Sequence, residues 1–208
     1  MAFQVVLKSK LSQRELDEAV DVCVKAYVGE RASDSMVGGV ESLKDPIMRA
    51  ILRAGELDGQ VYLATDVTSQ KVVGVAVWFP PGNMLFSTPQ QRALGFDDFM
   101  KQLSPQTKSF WEDSYGPKVE VFLDETLGPN ATLNSFYLNQ LATDPAYQGR
   151  GIASLLLKTV HDKFAPPFAH CAANDSNAQF YEKRGYTIRG RMVMEAPTGA
   201  YPVIILTK

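Results

Sequence analysis

The turn from Gln148 to Ala153, with the sequence QGRGIA, has the residue types and spacing best suited to binding an anion. Gly149 and Gly151 allow positive φ angles and let the backbone approach a bulky phosphate without a Cβ in between. Arg150 lies between them and can add a charge-assisted hydrogen bond to phosphate. An ordinary connection whose glycines serve only the turn would have the same residues, so the turn alone does not decide between the two readings.

The segments on either side of this turn have the patterns of a strand and a helix. Phe136 to Ala142 mixes large apolar with small polar residues and is followed by the turn signal Asp144-Pro145, which predicts a strand. Apolar residues then recur at helical spacing from Ser154 to Val160, so we expect a helix to begin near Gly151. Such a joint leaves unpaired backbone N–H groups at the positive end of the helix dipole, which favours an anion there.

Two motifs along the chain together resemble a known family. The turn fits neither G-x-G-x-x-G nor G-x-x-x-x-G-K-[ST], but it fits Q/R-x-x-G-x-G/A through Gln148, Gly151 and Ala153. A second motif, NDSNAQFYEKRGY from Asn174 to Tyr186, follows about 25 residues later, again in a strand-to-helix setting. The pair resembles the acetyl-CoA signatures of the GNAT superfamily of N-acetyltransferases, with Ala153 where the family more often has glycine.

The resemblance implies an α/β (α+β) fold for residues 1–208 as a single domain. We expect a central, mixed, mostly antiparallel sheet of six to seven strands, flanked by helices, in which strands four and five splay apart. The resemblance covers most of the chain except a segment from about 88 to 128. There, aromatic and apolar residues recur at roughly helical intervals between Pro89, Pro105 and Pro117, which predicts two or three short helices inserted between strands three and four. These helices can serve only to pack over the core, or they can cover the acceptor pocket and select the substrate.

The cosubstrate that the resemblance implies is acetyl-CoA, with no metal. Its diphosphate is expected on the QGRGIA turn, and its pantetheine arm in the gap beside the fourth strand, paired with backbone like an added strand. The expected cofactor-binding residues are Leu141, Ala142, Thr143, Gln148, Gly149, Arg150, Gly151, Ile152, Ala153, Asn174 and Tyr181.

Tyr181 is the expected general acid, because the family's tyrosine at this motif position reaches the CoA sulfur. An ordinary tyrosine pKa of about 10 keeps the hydroxyl protonated at neutral pH, as a donor to a thiolate requires. In many family members, a glutamate on the fourth strand acts as the general base. This sequence has Asn139 and Gln140 there, and neither side chain can take a proton. The expected base is therefore a water chain, or a carboxylate such as Glu120 or Asp124.

The acceptor is expected to be the primary amine of a small molecule, attacked directly in a ternary complex. In the family, the segment between the first two helices lines the acceptor pocket, so Glu30, Asp34 and Ser35 are expected substrate-binding residues, with a solvated polar loop as the alternative. The C-terminal half, with VAVWFPPG, looks like the branch that includes puromycin acetyltransferase and many fungal relatives, which implies a xenobiotic, antibiotic or metabolite. A non-catalytic acyl-CoA sensor, a protein or peptide acceptor, and a longer acyl group stay open.

Composition narrows the classes of partner. With 208 residues, 45% of them hydrophobic, the chain can bury one sizeable core. Its 21 basic and 23 acidic residues are interspersed, so no basic stripe indicates a nucleic acid or membrane partner.

No apolar run approaches the ~20 residues of a membrane span, and the start lacks a signal-peptide pattern, so a cytoplasmic enzyme is expected. Cys23 and Cys171 do not have metal-ligand spacing. A homodimer is compatible with this reading.

The N-terminal part predicts two helices. One begins after Ser12, a good N-cap, and ends at Gly29. The run RASDSMVGG reads as a loop, and a second helix is expected from Glu41 to Ala54, stopped by Gly55.

Overall fold

Seven strands form one sheet in the computed structural model, which describes residues 2–208. Their order is β1-β2-β3-β4-β5-β7-β6, and every neighbouring pair is antiparallel except β4 and β5. The predicted mixed, mostly antiparallel sheet is therefore confirmed, with seven strands. Their bounds are β1 Phe3–Lys8, β2 Gln60–Asp66, β3 Val72–Phe79, β4 Phe136–Thr143, β5 Phe168–Ala172, β6 Thr187–Met194 and β7 Tyr201–Thr207.

Helices cover both faces of the sheet. No helix within residues 2–208 is both long and apolar enough to cross a bilayer. The α-helices are α1 Gln13–Ala26, α2 Arg31–Met36, α3 Lys44–Asp58, α4 Pro89–Gln91, α5 Asp97–Gln102, α6 Pro105–Ser109, α7 Gly116–Leu127, α8 Ile152–His161 and α9 Asp175–Glu182; 3₁₀ turns lie at Glu41–Leu43 and Pro145–Tyr147, and π-helical segments at Arg92–Phe96 and Phe110–Tyr115.

The interior strand β3 is buried along its whole length because its side chains alternate between two cores. Val75 and Val77 pack on one face of the sheet with α1 and α3, whereas Ala76 and Trp78 pack on the other face with α8 and α9. A strand covered on both faces has no solvent side, which explains the unbroken apolar run VVGVAVWF.

The sheet opens between β4 and β5. Only Phe136, Tyr137 and Leu138 of β4 pair with β5, opposite residues 168–170. From Asn139 to Thr143, β4 continues without a partner on that side, so the two strands diverge. The predicted splay of strands four and five is confirmed, and it leaves a gap at the centre of the molecule.

Gly55 lies inside helix α3, so the prediction that it stops this helix is wrong. The helix continues to Asp58 and ends at Gly59. A Cβ on Gly55 would lie 2.7 Å from Cγ1 of Val77 and 3.0 Å from Cγ2 of Val61. The glycine therefore lets the helix approach the sheet closely, and this tertiary contact outweighs its poor helix propensity.

The run RASDSMVGG is not a plain loop, because Arg31–Met36 forms the short helix α2. Glu30 caps this helix: Oε1 accepts a hydrogen bond from the Ala32 N–H at 3.2 Å, and Oε2 accepts one from the Ser33 N–H at 2.7 Å. The predicted N-cap of α1 is confirmed, since Ser12 and Glu15 form a capping box.

The segment between β3 and β4 is helical, as predicted, but its prolines act differently. Pro89 and Pro105 occupy the first turn of α4 and α6, where a missing N–H costs nothing. Pro117 was expected to break the chain into separate helices, which is wrong: helix runs through it from residue 105 to 127. The preceding π-helical segment Phe110–Tyr115 widens the helix, and such bulges accommodate local irregularities of the hydrogen-bond ladder.

Candidate functional site

Two cavities adjoin where β4 and β5 separate. The first, here called the cleft, has a volume of about 990 Å³ and is lined by the QGRGIA turn and the first turns of α8 and α9. The second, here called the apolar cavity, has a volume of about 820 Å³ and lies between helix α7, helix α3 and the sheet. Seven residues belong to both walls and define the junction of the two cavities: Tyr27, Glu30, Leu141, Ala173, Asn177, Tyr181 and Tyr201.

The backbone of the QGRGIA turn is open to the cleft. Gly149 and Gly151 have φ angles of +76° and +82°, and a Cβ built on either would meet no atom within 4 Å. Gly151 is the N-cap residue of α8, and no side chain within residues 2–208 caps this helix, whereas Ser12 caps α1 and Asn174 caps α9. The N–H groups of the first turn of α8 therefore remain available to an anion.

The structure brings together nearly all the residues predicted to bind the cofactor. Arg150 does not line the cleft: its Nη2 donates to the Ala146 carbonyl at 3.0 Å, and its guanidinium lies 4.9 Å from the ring centre of Tyr147. Arg31 and Arg184, which the sequence reasoning did not select, are the basic residues in the cleft wall. The predicted residues in the wall are Leu141, Ala142, Thr143, Gln148, Gly149, Gly151, Ile152, Ala153, Asn174 and Tyr181.

The hydrogen bonding of three of these residues was not evident from the sequence. The Leu141 carbonyl accepts a hydrogen bond from the Tyr27 hydroxyl at 2.9 Å, which engages one of its two lone pairs. Asn174 caps α9, accepting at Oδ1 from the Asn177 N–H at 2.8 Å. The Thr143 hydroxyl oxygen is buried without a hydrogen-bond partner among residues 2–208, and it lies in the cleft wall.

Tyr181 projects from α9 to the junction and is only 4% exposed. Its ring packs against the rings of His170, Phe180 and Tyr186, with centroid distances of 4.4, 5.2 and 5.4 Å. Burial raises the pKa of Tyr181 well above its ordinary value. The hydroxyl therefore keeps its proton at neutral pH, as a donor must.

Of the three predicted acceptor-pocket residues, the structure places only Glu30 in a cavity wall. Asp34 pairs instead with Lys44, whose Nζ lies 2.7 Å from Asp34 Oδ1 and whose side chain is fully buried. Ser35 is also fully buried; its hydroxyl donates to the Arg31 carbonyl at 2.7 Å and lies 2.5 Å from the Thr198 hydroxyl. Asp34 and Ser35 hold the segment in place.

The apolar cavity has a wall of aromatic and aliphatic side chains with a few acids. Glu120 and Asp124, the carboxylates considered as bases, lie one turn apart on α7 and are exposed to solvent. No lysine or arginine of residues 2–208 lines this cavity. Its apolar wall includes Met36, Met48, Ile51, Met84, Leu85, Phe86, Trp111, Tyr115, Val119, Leu123, Leu133, Tyr137 and Val203.

Polar groups of β4 and β5 reach the same cavity. Asn139 and Gln140 line it, and Gln140 Nε2 donates to the sulfur of Met48 at 3.1 Å. His170 Nδ1 lies 2.9 Å from the Leu138 carbonyl, so this nitrogen carries the proton and donates it. Burial lowers the pKa of His170 to about 4, and the imidazole is neutral at pH 7.

Tyr201, the first residue of β7, is a junction residue that sequence reasoning missed. It is 3% exposed, and its hydroxyl has no hydrogen-bond partner among residues 2–208. A buried hydroxyl without a partner costs free energy unless a ligand or water supplies one. The sequence showed only that Tyr201 opens the closing strand YPVIILT. The strand order β5-β7-β6 was needed to place this residue at the junction.

Metal ligands are not gathered at either cavity. Within residues 2–208, no group of three or more His, Cys, Asp or Glu side chains is arranged to hold a metal ion.

Comparison with known proteins gives one family match. Residues 120–188, roughly a third of the chain, match the family model of the acetyltransferase (GNAT) domain. The matched segment contains the QGRGIA turn and Tyr181. A search of curated protein sequences found no match.

Solved structures of acetyltransferases share the fold over the full chain. An acetyltransferase of Corynebacterium glutamicum, titled histone acetyltransferase HPA2 and related acetyltransferase, is 18% identical with a TM-score of 0.65, over 100% of this chain and 96% of that one. A mosquito arylalkylamine N-acetyltransferase like 5b is 16% identical with a TM-score of 0.64, over 99% of both chains. A Drosophila melanogaster polyamine N-acetyltransferase is 11% identical with a TM-score of 0.59, over 99% of both chains.

The domain match indicates the acyltransferase class of enzyme. Residues 120–188, which contain the open turn and the junction tyrosine, thus match the acetyltransferase (GNAT) domain, and the whole chain shares the fold of solved acetyltransferases.

Proposed function

We propose that this chain is an acetyl-CoA-dependent N-acetyltransferase that acts on the primary amine of a small, largely apolar molecule. The observation that carries the proposal is the junction. There, a cleft suited to an anion meets an apolar cavity that carries two exposed carboxylates, beside the largely buried Tyr181. A group-transfer enzyme with two substrates needs such a meeting point, because the reacting atoms must approach within about 3–3.5 Å.

The cleft fits the diphosphate of acetyl-CoA. The open N–H groups of the Gly149–Gly151 turn and the first turn of α8 supply donors, and Arg31 and Arg184 supply positive charge. The unpaired Thr143 hydroxyl and the free edge of β4 supply polar groups to the pantetheine arm. Acetyl-CoA contributes the activated acyl group, and Tyr181 donates a proton to the departing sulfur.

The apolar cavity fits a hydrophobic amine. Its aromatic and methionine side chains favour an apolar body, while Glu120 and Asp124 attract the positive charge of a protonated amine at its exposed end. The lack of lysine or arginine in the described wall agrees with a cationic ligand. Two similar structures carry the names of arylalkylamine and polyamine acetyltransferases and a third that of a histone acetyltransferase, so both small amines and a peptide belong in the test.

The test is acetyl transfer by the purified protein, followed as CoA release and confirmed by mass spectrometry of the product. The panel comprises 2-phenylethylamine, tyramine, agmatine, spermidine and a lysine-containing peptide, with 2-phenylethanol as a control for transfer to oxygen. We expect the arylalkylamines to have the highest kcat/KM. Binding of acetyl-CoA without transfer to any amine would favour the sensor reading, and a preference for the peptide would reassign the acceptor. Propionyl-CoA and succinyl-CoA test the length of the acyl group.

A further inference from the structure

Glu30 lies where both substrates would meet. Of the carboxylates within residues 2–208, it alone lines both the cleft and the apolar cavity. Glu120 and Asp124 line the apolar cavity only, and both are exposed to solvent. A group that exchanges a proton with the reacting nitrogen must lie within hydrogen-bond reach of it, directly or through one water. The position of Glu30 therefore suits that role better than either carboxylate of α7.

The carboxylate of Glu30 is held in a fixed orientation. Each oxygen accepts one backbone N–H at the start of α2, from Ala32 and from Ser33, which leaves a second lone pair on each oxygen for a ligand. Burial raises the pKa of Glu30 above that of an ordinary carboxyl group, and this effect exceeds the opposing one of the two N–H groups. A carboxylate with a raised pKa accepts a proton more readily.

Other charged and titratable groups surround Glu30 from each element packed against it. Asp34, on α2 itself, raises the pKa of Glu30, and Lys44 of α3 lowers it. Three tyrosines interact with its charge: Tyr27 at the end of α1, Tyr115 of the π-helical segment and Tyr201 of β7. Burial raises the pKa of all three tyrosines, so they stay neutral at pH 7 and leave Glu30 as the proton acceptor among them.

We infer that Glu30 takes the proton that the acceptor nitrogen loses during acetyl transfer, and that the unpaired Tyr201 hydroxyl oxygen accepts a second N–H of the same amine. This inference rests on the proposed function. The protonated amine first releases one proton to solvent and reacts as the neutral amine. Its nitrogen–carbon bond then forms as the carbon–sulfur bond breaks; one proton moves from nitrogen to Glu30, and the sulfur receives one from Tyr181. Glu30 then releases its proton to solvent and Tyr181 regains one, so each turnover yields an amide and CoA thiol with no net change in the protein.

The test of Glu30 is the pH dependence of kcat for the best amine of the panel. In the wild type, activity requires the carboxylate form, so kcat falls as the pH drops through the pKa of Glu30. Glu30→Gln should lower kcat at pH 7.5 by about 100-fold or more and abolish this acidic limb, with CoA affinity close to wild type. Its melting temperature should fall modestly, because the amide keeps only one of the two oxygens that accept N–H groups of α2. Glu112→Gln, which changes an exposed carboxylate outside both cavities, should keep the wild-type rate and profile.

The outcomes separate this inference from the proposed function. If the wild type acetylates no amine, the proposed function fails and the inference falls with it. If the wild type is active and Glu30→Gln lowers kcat by one factor at every pH, Glu30 only supports the structure and the inference alone is overturned. Loss of the acidic limb in Glu120→Gln, Asp124→Asn or His170→Asn, but not in Glu30→Gln, would also overturn it.

Tyr201 is a positioning residue in this scheme, and its test is a separation of KM from kcat. Tyr201→Phe removes a hydroxyl that has no hydrogen-bond partner among residues 2–208, so folding should not suffer. We expect the KM for the amine to rise about tenfold, with an unchanged KM for acetyl-CoA and an unchanged acidic limb. A KM for the amine equal to that of the wild type would remove Tyr201 from the scheme.

Discussion

The ring of His170, in the wall of the apolar cavity, lies 4.4 Å from the ring of the junction residue Tyr181, at an interplanar angle of 46°. His170 belongs to β5 and is hydrogen-bonded to the Leu138 carbonyl of β4, at the last point where these strands pair. The histidine therefore couples the position of the Tyr181 ring to the place where the sheet opens. The general acid that we propose is therefore held at the point where β4 and β5 separate.

Tyr181→Phe tests this acid directly. We expect kcat to fall by about 10²- to 10⁴-fold, because a proton donor to the leaving sulfur is lost, while the Kd for CoA changes less than about threefold. Tyr186→Phe is the matched control: Tyr186 packs on Tyr181 and its hydroxyl lies 3.0 Å from His161 Nε2, but it lines neither cavity. The control should lose about 1 kcal/mol of stability and keep its turnover. Equal turnover in Tyr181→Phe and the wild type would remove the acid role.

Gly151→Glu tests the anion seat. Both the charge and the side chain would enter the cleft at the start of α8, so binding of CoA measured by calorimetry should be abolished or weakened at least 100-fold. Gly151→Asn, a neutral residue that tolerates positive φ, should weaken binding far less. Gly82→Glu reproduces the strain and charge at a glycine with φ of +91° that lines neither cavity, and it should bind CoA normally. Normal CoA affinity in Gly151→Glu would place the diphosphate elsewhere.

Local patterns predicted the strands and the open QGRGIA turn because the residues that form them are close in sequence. The QGRGIA turn, the strand before it and the helix after it form one continuous segment, and glycines with positive φ are needed within it. The splay of the strands came from the family resemblance, and the pairing of only three residues confirmed it.

The junction could not be predicted in the same way, because distant segments form it. Tyr201 and Glu30 are 171 positions apart. Locally, Tyr201 is the first residue of a strand and Glu30 caps a helix, so neither position indicates a shared site. Asp34 and Ser35 had the polar types of a binding loop, yet buried partners from other elements, Lys44 and Thr198, engage them. The residue type and its position in the sequence do not show whether a polar side chain faces a cavity or the protein interior.

Stability should depend on pH through His170. Its pKa is about 4 in the folded protein and about 6.5 when unfolded, so between these values the unfolded chain binds the extra proton. The free energy of unfolding should thus be constant above about pH 7 and fall by on the order of 3 kcal/mol as the pH drops to 4. The pKa of His161 is also lowered to about 4. Because this side chain is only half-buried, its protonation should reduce the free energy of unfolding by less.

Urea unfolding between pH 7.5 and 4.5 measures this dependence and avoids the range below about 4.5, where protonation of Glu15, whose pKa is lowered to about 2, would add its own loss. His170→Asn retains an N–H donor for the Leu138 carbonyl but has no titrating group. This variant should be less stable at pH 7.5 and show a flatter pH dependence. The same slope in His170→Asn and the wild type would assign the dependence to another group.

Gly55→Ala should destabilise the protein, although alanine is the better helix former by roughly 0.8–1.0 kcal/mol. The new methyl group would lie 2.7 Å from Cγ1 of Val77, inside a buried contact between α3 and β3 that leaves no room for it. Overpacking of a core costs about 1–3 kcal/mol, which exceeds the gain in propensity. Urea unfolding of the single variant should therefore give a lower free energy than that of the wild type, with kcat unchanged, since Gly55 lines neither cavity.

Val77→Ala provides the matched background for this experiment. With the valine methyl groups removed, Gly55→Ala should become neutral or stabilising, and the two changes should differ from additivity by at least about 0.5 kcal/mol. If Gly55→Ala stabilised the protein in the wild-type background, helix propensity would outweigh the contact with β3. The glycine would then have to be explained by something other than the close approach of helix and sheet.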